Sequence, residues 1–179
     1  MRIGYGWDSH EFEMDLPLRI GGVLIPHHSG LAGHSDGDVL LHALTDALLG
    51  AISSGDIGTH FPSENERWKG ADSVVFIQEA VRRVERAGYV ICNVDSTLIL
   101  KEPRIGPFVP RLKIRLAALL NTPVDNISVK AKTPEGLGTD NAAIAHAVVL
   151  LQKRETRSGR KALKTAVRRP RRRAKPMQR

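Results

Sequence analysis

A chain of 179 residues has room for one domain of about 150 residues with its own core, plus an extension, and needs no second domain. Of its 27 Lys and Arg residues, 13 fall within residues 153–179 beside the single acid Glu155, so the formal net charge of +8 is carried by the tail while residues 1–152 sum to −4. The basic balance therefore says nothing about the fold, and the lone Cys92 excludes an intrachain disulfide and is expected to be a small buried residue in a reducing compartment.

The start of the chain shows no basic stretch followed by an apolar one, and no apolar run reaches about 18 residues, which predicts a cytoplasmic protein with no membrane association. Residues 2–7 alternate apolar positions around Gly4 and Gly6, predicting a strand whose backbone is approached closely. If the strand continues, Asp8 and His10 turn to one side and offer an oxygen and a nitrogen ligand together. Residues 18–25 enclose Gly21-Gly22 and end before Pro26, as a hairpin or bulged strand does; His27 and His28 then follow in an exposed turn.

Leu31-Ala32-Gly33 forms a flexible approach to His34 and to a helix predicted over residues 36–53, entered through Ser35 and Asp36. That helix sets Asp38, His42 and Asp46 at i, i+4 steps on a polar stripe facing a cleft or another subunit. The neighbouring stripe of Leu41, Leu44, Leu48, Ala51 and Ile52 can bury against a sheet. Such a composition suits a metal or phosphate site, although short Asp/His combinations also serve as caps. Asp56-Ile57-Gly58 and Phe61-Pro62 read as a loop, and the polar residues 63–70 as an irregular, mobile one.

A second helix is predicted over 71–87 with Val75, Ile77, Ala80, Val81 and Val84 as its apolar set, then a central strand over 89–100 that Pro103 must end. A third helix over 107–120 begins at prolines, and a strand over 127–133 leads to Thr133-Pro134-Glu135-Gly136. Residues 142–151 are apolar enough to be a buried strand or a buried helix, because periodicity does not separate the two. Residues 153–179 hold too few apolar side chains to fold alone and are expected to be disordered.

Asp8, His10 and His42 supply one carboxylate oxygen and two imidazole nitrogens, a zinc set that leaves a fourth position open as a catalytic site requires. The plain alternative is two ordinary polar histidines and a strand-ending Asp. Asp56, Gly58, Lys132, Thr133 and Glu135 lie at predicted element ends, where ligand sites gather. Glu135 suits a hard cation such as Mg2+ held against phosphates, and backbone N–H groups near Thr133 suit phosphate oxygens; singly, each reads equally well as a loop residue.

The motifs D-S-H at residues 8–10, H-S-D-G-D at 34–38, H-A-L-T-D-A-L-L-G at 42–50, D-I-G at 56–58, F-P at 61–62 and K-A-K-T-P-E-G-L-G at 130–138 resemble, in order, the 2-C-methyl-D-erythritol 2,4-cyclodiphosphate synthase family. The resemblance spans residues 1–152 and implies an α+β (α/β) fold, a sheet with helices packed on one side, in a homotrimer with active sites between subunits. It makes residues 142–151 a strand. The implied reaction converts 4-diphosphocytidyl-2-C-methyl-D-erythritol 2-phosphate to the cyclic diphosphate with release of CMP. Implied roles are Asp8, His10 and His42 as Zn2+ ligands, Glu135 as the Mg2+ or Mn2+ ligand, and His34 and Thr133 as transition-state stabilisers. Substrate contacts would come from Asp8, Ser9 and His10, from His34 and Ser35 toward the erythritol phosphate, and from Asp56, Ile57, Gly58 and Phe61 around the ribose. Leu100, Lys101, Glu102, Pro103, Arg104, Ile105 and Gly106 would meet the cytosine and its phosphates, with Lys132, Thr133, Pro134 and Glu135 opposite.

One departure stands out: where the family commonly has Gly-Arg-Gly-Glu, this chain reads Thr139-Asp140-Asn141-Ala142-Ala143, so the arginine is missing and Lys132 is the candidate replacement charge. Two other function classes use the same residues. A zinc-dependent phosphoester hydrolase would employ the Asp/His/His set with a water nucleophile. A nucleic-acid binder would use the tail, which has no aromatic residue to stack on bases and so offers only non-specific polyanion attraction.

Overall fold

The computed structural model describes residues 1–154; the expected tail of 153–179 lies outside them from residue 155 onward. β1 (Arg2–Met14) is longer than the six residues expected, because its alternation persists: Gly4, Gly6, Asp8, His10 and Phe12 face inward while Ile3, Tyr5, Trp7, Ser9 and Glu11 face out. The hairpin of β2 (Leu18–Ile20) and β3 (Val23–Ile25) turns on Gly21 and Gly22, whose φ of 60° and 71° are what a two-residue type I′ turn needs. A short β4 (Ser29–Leu31), not foreseen, pairs with the end of β1.

Next come α1 (Val39–Ala51), α2 (Ile57–His60), α3 (Val74–Arg86), β5 (Tyr89–Ile99), α4 (Val109–Leu120), β6 (Ile127–Lys132) and β7 (Ala142–Lys153). The main sheet runs β4-β1-β7-β5-β6, with β5 and β6 parallel and the remaining pairs antiparallel. This is a mixed α+β architecture. The ambiguous last run is thus a strand, and it lies at the centre of the sheet. Ala143, Ala145, Ala147, Val149 and Leu151 are buried on one face while His146 and Val148 stand on the other.

Helix α1 lies directly on β1 and β7. A Cβ on Gly6 would sit 1.9 Å from the Ala43 carbonyl oxygen, and one on Gly4 1.8 Å from that of Ala47. The close approach read from these glycines is therefore made by a helix backbone. Helix α1 is shorter than expected because Asp38 is its N-cap: one carboxylate oxygen accepts the Leu41 N–H at 3.0 Å and the Gly21 N–H at 2.8 Å, and the other takes Gly22 N–H at 2.6 Å. Asp38 is wholly buried beneath the β2–β3 turn, so the anticipated polar stripe loses its first member to a capping role.

Other differences are local. On α3 the buried position is taken by Phe76, and Val75 points to solvent. Cys92 is only half-buried, beside the bulge between Ile91 and Asn93. The polar stretch before α3 is tied down: Gly70 N–H donates to the His34 carbonyl at 2.7 Å, and Trp68 packs on Phe61 and Phe76 at 5.2 and 5.7 Å between ring centres. Among the described residues no helix is long and apolar enough to cross a membrane.

Gly6→Ala is expected to lower stability by about 1–3 kcal/mol or more, since backbone on both sides must part to admit a methyl group. The midpoint of urea unfolding reads this directly, and a variant as stable as the parent would show that α1 does not need the contact.

Candidate functional site

The alternation of β1 places Asp8 and His10 on the face covered by α1, and one turn past the Asp38 cap His42 comes down from α1 to meet them. The Asp8 Oδ2 lies 2.9 Å from His42 Nδ1 and 3.0 Å from His10 Nε2, and the two ring nitrogens are 3.0 Å apart. Three groups that normally accept or share a proton converge on one point. Their ligand atoms all lie within 4.8 Å of one another, so this group can hold a metal ion. The near-equilateral triangle is slightly tighter than the edge of about 3.3 Å expected from zinc–ligand bonds of about 2.0–2.1 Å, and one oxygen with two imidazoles is a donor set zinc favours. The donors fit the ion.

Burial works to raise the Asp8 carboxyl, but the hydrogen-bonding contacts with His10 and His42 hold it well below the usual carboxylate range. Ser9 projects from the opposite face of β1, so it reaches the triad side only through its backbone. The loop before α1 brings Ser35 Oγ to 3.1 Å from His42 Nε2. Among the described residues His34 Nε2 is buried with no partner, on a residue whose carbonyl is already held by Gly70.

The expected loop at residues 56–58 is in fact the start of α2. Asp56 caps it, accepting from Thr59 N–H at 2.7 Å and Thr59 Oγ at 2.6 Å, bonds that keep its exposed carboxyl below the ordinary value. Asp46, one turn beyond His42, accepts the Ile57 N–H at 2.7 Å. Burial nevertheless holds the Asp46 carboxyl above its ordinary value. Asp46 thereby fixes Asp56, Ile57 and Gly58 to the helix that carries His42. Phe61 stacks on Phe76 at 4.6 Å, and Phe76 lies 6.1 Å from the His42 ring, forming an aromatic wall beside the triad.

The remaining expected residues form a second group. Parallel pairing sets Ile99 opposite Lys132, so residues 100–106 and 132–135 leave the sheet side by side, joined by Leu100 N–H to the Lys132 carbonyl at 3.1 Å. Segments at the C-terminal ends of parallel strands are common ligand positions. Leu100, Ile105 and Pro134 are buried as anchors and Pro103 is half-buried; Lys101, Glu102, Arg104, Gly106, Lys132, Thr133 and Glu135 are exposed. The Thr133 hydroxyl donates to the Glu135 carboxylate. Lys101 is bound to Asp140 at 2.8 Å, whereas Lys132 forms no ion pair among the described residues. Counting strands from β1 through β7 and β5 to β6, the two groups share one end of the sheet, roughly 10–14 Å apart at about 4.8 Å per strand.

Sequence reasoning missed the aromatic wall and the Asp46–Ile57 tether. Trp68 and Phe76 are two of few aromatics and flank a polar loop, which is the signal available; the tether had none.

A family model described as the YgbB family matches residues 1–152. A 2-C-methyl-D-erythritol 2,4-cyclodiphosphate synthase of Koribacter versatilis is 58% identical over 154 residues, covering 86% of this chain and 99% of the relative. One from Moorella thermoacetica is 50% identical over 162 residues, 89% of this chain and 99% of the relative. A solved structure of a 2C-methyl-D-erythritol-2,4-cyclodiphosphate synthase in a CDP-bound form is 46% identical, superposes with a TM-score of 0.80, and covers 84% of this chain and 100% of its own.

Asp46→Ala should free the Ile57 amide and cost about 1 kcal/mol. Hydrogen exchange checks this locally: the Ile57 amide is expected to exchange about fivefold faster, the change that about 1 kcal/mol produces, while the β7 amides keep their protection.

Proposed function

Because the chain belongs to the YgbB family, we propose that it converts 4-diphosphocytidyl-2-C-methyl-D-erythritol 2-phosphate to 2-C-methyl-D-erythritol 2,4-cyclodiphosphate with release of CMP, as a cytoplasmic enzyme of the non-mevalonate route to isoprenoid precursors. The observation that carries this reading is the convergence of Asp8, His10 and His42, with 2.9–3.0 Å edges, in a chain similar along residues 1–152 to synthases of that name. Zn2+ is the ion we assign to this triad, and Mg2+ or Mn2+ to Glu135. Bound there, the two cations supply the positive charge that lets one phosphate approach another.

The chain's own task is to fold a flexible anionic substrate. The nucleophile is an oxygen of the substrate's 2-phosphate, which forms a bond to the β-phosphorus while the bond from that phosphorus to CMP breaks and its electron pair leaves with CMP. The nucleophile is already anionic at pH 7, so no side chain must act as a strong base. His34 and Thr133 are assigned to the charge that builds on the phosphoryl oxygens, Ser35 to the erythritol phosphate, and Asp56, Ile57, Gly58 and Phe61 to the ribose side. Residues 100–106 with Lys132 and Glu135 hold the cytidine and its phosphates; Lys132, with no ion pair among the described residues, is suited to replace the missing arginine.

Two groups of site residues separated by roughly 10–14 Å on one sheet end, at about 4.8 Å per strand, make each protomer carry two half-sites. We therefore assign a homotrimer in which one protomer's triad faces its neighbour's 100–106 and 132–135 segments. The exposed Ile3, Tyr5, Trp7 and Val148 on the uncovered sheet face are the surface such assembly would bury.

Zinc analysis paired with CMP release tests the reading. The protein is expected to hold about one zinc per protomer, lost in Asp8→Ala, while Glu135→Gln keeps the zinc and loses cyclisation by orders of magnitude. Zinc-free protein with full activity would refute the metal assignment. An opened monoester in place of the cyclic product would favour a hydrolase.

We assign the synthase domain to residues 1–154, two residues past the boundary at 152 read from the sequence, and residues 155–179 to a separable basic appendage. β7 runs to Lys153 and Arg154 N–H donates to the Gly88 carbonyl at 2.8 Å, so a cut after Arg154 spares every described contact. The shortened chain should assemble and cyclise as the full chain does, by sedimentation and CMP release. Duplex DNA binding by the full chain should be non-specific and fall steeply with salt, about −0.9 in log–log slope per phosphate neutralised.

A further inference from the structure

His42 shows only one of its nitrogens to Asp8 and His10. Its Nε2 points away, into the base of α3, where it lies 2.8 Å from the Ser73 hydroxyl. Ser73 occupies the N-cap position of α3, yet its side chain makes no capping bond; the Val74 N–H is taken instead by Asp72 at 2.8 Å. The Ser73 hydroxyl, wholly buried, lies 2.5 Å from Asp36 Oδ1. It therefore serves the histidine and the carboxylate in place of the helix end.

The hydrogens in this chain have a forced direction. A serine hydroxyl has one proton, and a carboxylate at 2.5 Å claims it, so Ser73 Oγ has only lone pairs left for His42. His42 Nε2 must then carry a proton and donate it, which makes Nδ1, facing Asp8 and His10, the nitrogen left to ligate a cation when one takes the place of the proton shared there. Asp36 is held in turn by Arg19, whose Nε is 4.0 Å from Oδ2, and by its own N–H on the Ala71 carbonyl at 3.0 Å.

Resting on the metal reading given above, we propose that Ser73 and Asp36 are positioning residues that lock His42 in the tautomer able to bind a cation through Nδ1. The relay runs from His42 Nε2–H to Ser73 Oγ and from Ser73 Oγ–H to the Asp36 carboxylate. Ser35 Oγ lies 3.1 Å from the same nitrogen and 3.4 Å from Ser73 Oγ, longer contacts than the 2.8 Å by which Ser73 holds the ring. Partners of this kind raise ligand affinity by orienting the ring and fixing its proton.

The test titrates metal-free protein with zinc against a chromophoric chelator, in the parent, in Ser73→Ala and in Asp36→Asn. Both variants are expected to bind zinc about 10–100-fold more weakly. Asp36→Asn does so because its amide can donate to Ser73 and reverse the relay. In zinc-loaded parent protein the His42 Nε2 proton should give a slowly exchanging NMR signal that is lost in Ser73→Ala. A packing role alone would lower the melting temperature of the metal-free variants and leave zinc affinity at the parent value, and that result would overturn the proposal. A parent protein that binds no zinc would overturn the metal reading itself, and this inference with it.

Discussion

The absence of two side chains governs the geometry of the site. Helix α1 rests on β1 with the Ala43 and Ala47 carbonyls where the Cβ atoms of residues 6 and 4 would stand, so helix and strand are as close as backbones allow. At this separation a histidine one turn into α1 reaches a strand carboxylate at 2.9 Å. A methyl group at either glycine would lift the helix and open the triad. The glycines and Asp8-His10 follow one another on the same strand face, so a single strand carries both the means of approach and the groups brought together.

Charge placement follows from that closeness. Asp8 is paired with two imidazoles, Asp38 is wrapped by three backbone N–H groups, and Asp46 accepts from Ile57, so each carboxylate on or beneath α1 has a partner. Burying a carboxylate without such partners costs several kcal/mol. Three acids around one helix are tolerated because each also ties down an element: Asp38 the β2–β3 turn, Asp46 the start of α2, and Asp8 the histidines. The same interactions that make burial affordable position the site.

What the sequence discloses depends on whether a residue's neighbours lie along the chain or across it. The period of two in β1 is local, and it foretold that Asp8 and His10 share a face; the Gly4 and Gly6 spacing foretold a close backbone, though the backbone proved to be α1. Asp38 and His42 share a helical repeat, yet periodicity does not tell a cap from a stripe, and only the β2–β3 turn arriving from elsewhere decides that Asp38 faces inward. The run of residues 142–151 was unreadable because both faces are apolar, one against α1 and one open, and only strand neighbours on both sides resolve it. Ser73 was hidden by its ordinary look: Asp72-Ser73 opens a helix in the usual manner, and nothing local reveals which of the two does the capping.

The open sheet face bears on how copies of the chain would meet. On β1 and β7 the face away from α1 presents Ile3, Tyr5 and Trp7 beside Val148, each more than two-fifths exposed, with the Tyr5 hydroxyl paired to His146 Nδ1 at 2.9 Å and the polar Ser9 and Glu11 farther along β1. An antiparallel sheet can leave one face in water, but such a face is ordinarily polar, and over residues 3–7 of β1 beside Val148 this one is not. Its apolar character comes from the same strands that carry Asp8 and His10 on the reverse side. Covering it with further copies of the chain would fix the sheet's orientation among protomers. The triad and the 100–106 and 132–135 segments, held at the same end of the sheet, would then be presented to neighbours in a constant relation. In the proposed trimer, burial of the one face and pairing of the half-sites at one end would be met by a single closed assembly.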